Sequence, residues 1–134
     1  MRQTPQRVHE SIEVGIWIRV STDDQARGES PDHHERRARA YAEAKGWKVL
    51  ELYDLSGVSG KSVKDHPEAK RMMKHIAEGR IKSLIFSKLA RLARNTRELL
   101  DFADYFRDHD ANLVLNSPEF TRHLAGSFFA ELQI

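Results

Sequence analysis

The stretch that decides the fold is Glu13-Val-Gly-Ile-Trp-Ile-Arg-Val20, which is followed directly by Ser21. Side chains alternate between the two faces of a strand, and apolar residues occur on both faces of this run, as in a strand buried inside a parallel sheet. The pattern predicts a strand over residues 13–20, with Trp17, Arg19 and Ser21 on one face. A serine hydroxyl is a nucleophile once it is activated, and a guanidinium binds two phosphate oxygens at once. The serine hydroxyl at the end of this strand is therefore predicted to attack a phosphate.

Helix and strand signals alternate along the rest of the chain. Ser-Pro or proline begins a helix, glycine ends one, and short apolar runs predict strands. The predicted helices cover residues 31–45, 67–78 and 95–109, the predicted strands cover 13–20, 47–53, 83–87 and 112–115, and loops cover 22–29 and 54–62. The last helix is expected to turn five residues inward: Leu99, Leu100, Phe102, Ala103 and Phe106. This order predicts an α/β fold of three layers, a mainly parallel four- to five-stranded sheet flanked by helices.

The composition predicts one intracellular, cytoplasmic domain. The chain has 134 residues, a formal net charge of +2 and no cysteine, which leaves neither a disulfide framework nor a thiolate metal site. It has no apolar run near the roughly 20 residues that span a bilayer, and no signal peptide, so no membrane partner is expected. The histidines show no metal-ligand spacing, and no metal site is predicted.

Three groups of polar residues follow the predicted strands, where open α/β sheets bind their ligands. These are Arg19 and Ser21 after the first strand, the Ser/Gly-rich loop 54–62 after the second, and Lys88, Arg91 and Arg94 after the third. If a helix starts at Ala90, then Arg91 and Arg94 lie three residues apart on one of its faces. The sequence therefore predicts an anion site at this edge of the sheet.

Three motifs resemble the catalytic domain of the serine recombinases, the resolvase and invertase family. They are Ile18-Arg-Val-Ser-Thr-Asp-Asp-Gln25, Asp54 with Ser59-Gly60-Lys61, and Lys88-Leu-Ala-Arg-Leu-Ala-Arg-Asn95, in the family's order and spacing. The likeness covers about residues 13–115 and is greatest to the large serine integrases and transposon recombinases. It implies site-specific DNA recombination, in which a serine attacks a DNA phosphodiester, forms a 5′-phosphoserine intermediate and later religates the strand, with no metal or other cofactor.

The resemblance also implies roles for individual residues. Ser21 matches the nucleophile, and Arg19, Arg91 and Arg94 match the arginines that bind the phosphate. Supporting positions are Gln25, Asp54, Ser59, Lys88 and His66. Three residues depart from the family pattern: Ala90 stands where many members have aspartate, His66 where arginine is common, and His34 where glutamine is often met. These changes are expected to affect efficiency, and His66 near a phosphate is expected to make activity rise below about pH 6.5.

The resemblance further implies a domain plan and partners. Residues 1–12 are expected to be a flexible lead-in, residues 13–123 the catalytic domain, and residues 124–134 the truncated start of a long interface helix. The expected partners are double-stranded DNA and a second copy of the chain, in a dimer that associates to a tetramer at synapsis. A fragment of this extent is not expected to recombine DNA on its own.

Two alternatives remain open from the sequence. One is a metal-dependent phosphoesterase or nuclease that holds magnesium with Asp23, Asp24 and Asp54. The other is a non-enzymatic dimerisation or phosphate-binding module in which Ser21 is idle. DNA cleavage that survives EDTA excludes the metal-dependent enzyme. A covalent protein–DNA adduct that disappears when Ser21 is replaced excludes the non-enzymatic module.

Overall fold

The computed structural model describes residues 12–55 and 63–116, which form a four-stranded parallel sheet with helices on both faces. The elements are β1 (Glu13–Ile18), α1 (Thr22–Ala26), α2 (Pro31–Lys45), β2 (Lys48–Asp54), α3 (Pro67–Glu78), β3 (Ser83–Phe86), α4 (Leu89–Leu92), α5 (Thr96–Asp108) and β4 (Asn112–Leu115). The strand order is β2-β1-β3-β4. The predicted three-layer α/β class is confirmed, with four strands in the described residues.

The ends of the longer helices follow from local sequence signals. Ser30 Oγ accepts a hydrogen bond of 3.1 Å from the His33 backbone N–H and so caps α2. Gly46 and Gly79 end α2 and α3 with φ angles of 77° and 76°, in the left-handed region that favours glycine. Asn95 Oδ1 accepts 2.8 Å from the Glu98 N–H at the start of α5. The predicted bounds of these helices are therefore confirmed to within one residue.

Alternate residues of the strands build two cores, one on each face of the sheet. Val14, Ile16 and Ile18 of β1 pack with Ala38 and Ala42 of α2. The opposite face joins Trp17 and residues of the other strands to α3 and α5. The principal side chains of this second core are Trp17, Tyr53, Met72, Ile76, Leu84, Phe86, Phe102, Phe106 and Leu113.

One glycine is needed for this packing. A Cβ at Gly15 would lie 2.6 Å from Tyr53 Cε2 and 2.9 Å from Ile81 Cδ1, far inside van der Waals contact. The Tyr53 ring therefore lies against bare backbone of β1. This close approach fixes β2 against β1 at the edge of the sheet.

Four sequence predictions are wrong in detail. β1 ends at Ile18 rather than at residue 20, and the predicted loop 22–29 contains α1. The helix that was considered to start at Ala90 and run on past Arg94 is broken, because Ala93 is extended (φ −142°, ψ 155°) between α4 and α5. Leu100, expected inside, is 53% exposed, because it lies on the solvent side of α5.

Several predictions lie outside the described residues. Ser59, most of the lead-in, and the interface helix over 124–134 are in this group. Across residues 12–55 and 63–116, none of the helices has the length and apolar character that a membrane span requires.

Candidate active site

Ser21 is the N-cap of α1. Its Oγ accepts a hydrogen bond of 3.0 Å from the Asp24 backbone N–H, and Asp24 Oδ2 accepts 3.1 Å from the Ser21 backbone N–H. This reciprocal pair is a capping box, which satisfies two N–H groups at the start of the helix. The hydroxyl of Ser21 is therefore held in one place just beyond the carboxyl end of β1.

Arg91 reaches Ser21 from α4. Its Nη2 donates 2.9 Å to Ser21 Oγ, and the two residues are 70 positions apart in the chain. They meet because β1 and β3 are neighbours in the sheet and their carboxyl ends lie at the same edge. The sequence placed the Ser21 hydroxyl near the basic residues that follow the third strand, and the structure shows this contact for Arg91.

Asp24 holds Arg91 in this position. Arg91 Nε donates 2.6 Å to Asp24 Oδ2, and Arg91 Nη2 donates 3.1 Å to Asp24 Oδ1. Lys88 Nζ is a further donor, 3.2 Å from Asp24 Oδ1. Asp24 is only 1% exposed, so a carboxylate with two cationic partners lies buried beside the hydroxyl.

The charge on Asp24 is stabilised by these donors. Burial by itself raises the pKa of the Asp24 carboxyl, but hydrogen bonds from Arg91, from the Ser21 N–H and from Lys88 together lower the pKa well below its usual range. Asp24 is therefore ionised throughout the neutral pH range.

Arg19 contacts the backbone of α4. Its Nε donates 3.0 Å to the Arg91 carbonyl, and its Nη2 donates 2.9 Å to the Ala90 carbonyl. Trp17 Nε1 donates 2.8 Å to the same Arg91 carbonyl. Burial and then the charge of Arg91 lower the pKa of Arg19, although a guanidinium stays protonated in proteins. Arg19 was expected to share a strand face with Ser21; β1 ends before it, and its side chain instead supports the segment that carries Arg91.

Arg94 lies in the link between α4 and α5 and is exposed. Its backbone N–H donates 2.9 Å to Glu98 Oε1, and the Lys64 N–H donates 3.1 Å to Glu98 Oε2. The pKa of Arg19 is lowered mainly by burial and by the charge of Arg91, and the charge of Arg94 lowers it by a smaller amount. Arg94 thus lies on a link whose backbone Glu98 holds in place.

Comparison with known proteins assigns the family. A family profile described as Resolvase, N terminal domain, matches residues 14–133. The chain belongs to this resolvase family. Among curated proteins, it is 36% identical over 67 residues to the uncharacterized immunity region protein 3 of Bacillus phage phi105, across 49% of this chain and 80% of that protein.

Solved structures of serine recombinases share the fold. The N-terminal catalytic domain of TP901-1 integrase is 31% identical with a TM-score of 0.68, over 88% of each chain. A resolvase family site-specific recombinase from Streptococcus pneumoniae is 31% identical with a TM-score of 0.66, over 78% of this chain and 72% of that one. The C-terminal catalytic domain of ISC1926 TnpA, an IS607-like serine recombinase, has a TM-score of 0.66 at 20% identity, over 84% and 77%, and supports the fold alone.

The remaining residues singled out by the resolvase resemblance lie at different distances from this cluster. Lys88 joins it through Asp24. Gln25 is exposed on α1, and Asp54 is exposed at the end of β2. His66 is the N-cap of α3, where its Nδ1 accepts 3.0 Å from the Glu68 N–H, so its ring contacts its own helix.

His34, the third departure from the family pattern, is buried in α2. Its side chain is 3% exposed, and its Nε2 lies 3.1 Å from Glu29 Oε1. Burial, only partly opposed by Glu29, lowers the pKa of His34. His34 therefore belongs to the packing between α2 and the loop before it.

The contacts of the aspartates weigh against the magnesium alternative. Asp23 lies 3.3 Å from Arg27 on the surface of α1, while both oxygens of Asp24 accept from cations. Within the two described ranges, no three histidine or carboxylate side chains are grouped so that they could hold a metal ion. Asp24 serves as the partner of Arg91 instead.

The structural roles of Asp24, Glu98 and Trp17 were not predicted from the sequence. Two signals for them were present, because Ser21-x-x-Asp24 and Asn95-x-x-Glu98 both have the spacing of a helix cap followed by an acid three residues later. Trp17 was placed on the face of Arg19, and both side chains do reach the Arg91 carbonyl. Their shared target was not predictable, because it depends on how α4 turns after β3.

Proposed function

We propose that this chain is the catalytic domain of a serine site-specific DNA recombinase and that Ser21 is its nucleophile. The observation that carries the proposal is the 2.9 Å contact between Ser21 Oγ and Arg91 Nη2 at the carboxyl edge of the sheet. It joins a hydroxyl to a phosphate-binding group in a chain that belongs to the resolvase family. Two relatives at 31% identity are a site-specific recombinase and an integrase.

The proposed step is a transesterification on a DNA phosphodiester. Ser21 Oγ attacks the phosphorus and forms a P–O bond, while the bond from phosphorus to the 3′ oxygen breaks. The hydroxyl proton passes to solvent, and the leaving 3′ oxygen takes up a proton. Because one phosphate ester replaces another, the reverse attack by a 3′ hydroxyl religates the strand.

The cations around Ser21 are proposed to stabilise the charge that develops on the phosphate. Arg91 donates to the non-bridging oxygens, where preorganised donors act most strongly in a partly buried site. Arg94 supplies a second guanidinium from the exposed link, and Lys88 adds positive charge beside Arg91. Arg19 acts by holding the α4 backbone. Gln25, Asp54, Ser59 and His66 are proposed to have positional roles.

The proposed substrate is double-stranded DNA. Because that substrate lies inside cells, the activity is proposed to be intracellular. As in the family resemblance, we propose that the chain works as a dimer that pairs into a tetramer when two sites meet. A separate DNA-binding module is proposed to choose the site.

The test is a covalent adduct between the chain and DNA. The chain is fused to a known DNA-binding module and supplied with paired sites, and SDS-resistant protein–DNA complexes are counted on a gel. The adduct is expected in the presence of EDTA and is expected to vanish in Ser21→Ala. Ser30→Ala is the matched control, because it removes another serine N-cap, worth about 1 kcal/mol of stability, away from the site.

The outcomes separate the three readings. Loss of the adduct in Ser21→Ala with retention in Ser30→Ala supports the serine nucleophile. Cleavage that EDTA abolishes favours the metal-dependent phosphoesterase. A fused chain that binds both sites and forms no adduct favours the phosphate-binding module.

A further inference from the structure

We propose that Asp24 is a positioning residue of the recombinase site: its carboxylate holds one edge of the Arg91 guanidinium, so that the other end of the fork faces the phosphate beside Ser21. This inference rests on the proposed function. No role for Asp24 follows from the motif match, which assigns roles to Arg19, Ser21 and Gln25 of the same segment.

The hydrogen bonds of Arg91 divide its guanidinium into two parts. Nε and one hydrogen of Nη2 donate to Asp24, at 2.6 Å and 3.1 Å. Nη2 also donates 2.9 Å to Ser21 Oγ. The described contact of Nη1 is a long one, 3.4 Å to the Ala90 carbonyl.

A guanidinium has five donors in a planar fork, so two anions can share it along different edges. With Asp24 on the Nε edge, the second hydrogen of Nη2 is directed at the hydroxyl of Ser21. A phosphate oxygen placed there accepts from Arg91 without displacing Asp24. The carboxylate thus sets the direction of the arginine rather than competing for it.

The same geometry argues against Asp24 as the general base. Its two oxygens already accept from Arg91, Lys88 and the Ser21 N–H. These donors hold its pKa well below the usual range, and a base works best with a pKa near the working pH. Asp24 therefore acts through Arg91 and does not take the serine proton.

The chain provides a matched control in the next residue. Asp23 has the same side chain on the same helix, but it is 67% exposed and pairs with Arg27 at the surface. Asp23→Asn and Asp24→Asn remove the same charge at neighbouring positions. Only the second removes the partner of Arg91.

The first experiment measures single-turnover adduct formation by the fused chain at saturating DNA. Asp24→Asn is expected to slow the maximal rate by about 100-fold, as misplacement of a catalytic group by about 1 Å does. Its half-saturating DNA concentration and the shape of its pH profile are expected to stay as in the wild type. Asp23→Asn is expected to react within about twofold of wild type, as surface substitutions do.

Two results of this experiment overturn the inference. One is an Asp24→Asn rate equal to that of Asp23→Asn. The other is an Asp24→Asn pH profile of changed shape, which indicates a proton-transfer role. A wild-type chain that forms no adduct refutes the proposed function instead, so the two failures are distinct.

The second experiment does not depend on recombinase activity. The Nε–Hε signal of Arg91 is observed by NMR in the unfused wild-type chain, and Arg91→Lys assigns it. A signal that exchanges slowly at pH 7 supports the ion pair with Asp24, because Nε–H is then held in the 2.6 Å hydrogen bond to the carboxylate. A signal that exchanges as fast as that of exposed Arg97 at pH 7 overturns it.

Discussion

Replacement of Asp24 by asparagine is expected to destabilise the fold at neutral pH. The carboxylate accepts four hydrogen bonds, two of them from Arg91, with lengths from 2.6 to 3.2 Å. An amide keeps one acceptor oxygen and turns an N–H₂ group toward the remaining donors. Hydrogen bonds to charged groups contribute about 1.5–3 kcal/mol each. Burial of the carboxylate carries a desolvation cost that offsets much of this sum, and the variant no longer has that cost. The net loss of unfolding free energy is therefore expected to be about 2–3 kcal/mol. For a chain of 134 residues this lowers the Tm by roughly 10 °C.

The loss is expected to shrink in acid. The pKa of Asp24 in the folded chain lies below its value of about 3.9 in the unfolded chain. Between those two values the unfolded state binds a proton that the folded state does not, so the unfolding free energy of the wild type falls as the pH falls. Above about pH 5 both states are ionised and the difference between wild type and variant is constant. Below about pH 4 the stability difference between wild type and variant declines by up to about 1.4 kcal/mol per pH unit.

The assay is urea unfolding from pH 7 to pH 3.5, followed by the fluorescence of Trp17 and Trp47. The pKa values of Glu51 and Glu68 are also lowered, chiefly by hydrogen bonds from Arg71, and their effect cancels in the difference between the two proteins.

Asp23→Asn is the control for this assay, and it is expected to stay within about 0.5 kcal/mol of wild type at every pH. Two results refute the reasoning. One is an Asp24→Asn chain as stable as wild type at pH 7. The other is a stability difference that is the same at pH 5 and pH 3.5.

Three further substitutions test the packing. Gly15→Ala is expected to cost about 1–3 kcal/mol in urea unfolding, because its Cβ overlaps the Tyr53 ring, and the cost should be smaller when made in a Tyr53→Leu background. Trp17→Phe is expected to cost about 1 kcal/mol, since the Arg91 carbonyl keeps a second donor; a loss above 3 kcal/mol would contradict this. Leu100→Lys is expected to change the unfolding free energy by less than about 0.5 kcal/mol, because Leu100 is 53% exposed, and a larger loss would show that it is packed.

The helix and strand pattern was predictable because its signals are local. Ser30, Gly46 and Gly79 act within one turn of their own helix, so their effect can be read without knowing the fold. Leu100 was wrongly predicted to be buried because the face of α5 that packs on the sheet is narrower than the run of apolar residues in its sequence. Which side of that run meets the sheet is decided by packing against α3 and β4, which no local signal records.

The site was predictable in its location and not in its contacts. The rule that ligands bind at the carboxyl edge brought Ser21 and Arg91 together correctly. It did not show that the side chain of Arg19 turns to the carbonyls of Ala90 and Arg91, because that depends on where β1 ends. Asp24 was considered only as a metal ligand, although its distance from Ser21 in the sequence already matched a capping box.

The capping box puts a condition on the proposed chemistry. A hydroxyl oxygen has two lone pairs, and Ser21 Oγ already accepts from the Asp24 N–H and from Arg91 Nη2. Attack on phosphorus needs one of these lone pairs, so one donor must leave. The Asp24 N–H is fixed by the backbone of α1, whereas Arg91 Nη2 can pass its hydrogen to a phosphate oxygen while its Nε edge stays on Asp24. On the proposed mechanism, arrival of the phosphate moves one hydrogen bond of Arg91 from Ser21 Oγ to a phosphate oxygen. This exchange frees a lone pair of the proposed nucleophile, while the Asp24 N–H continues to cap it.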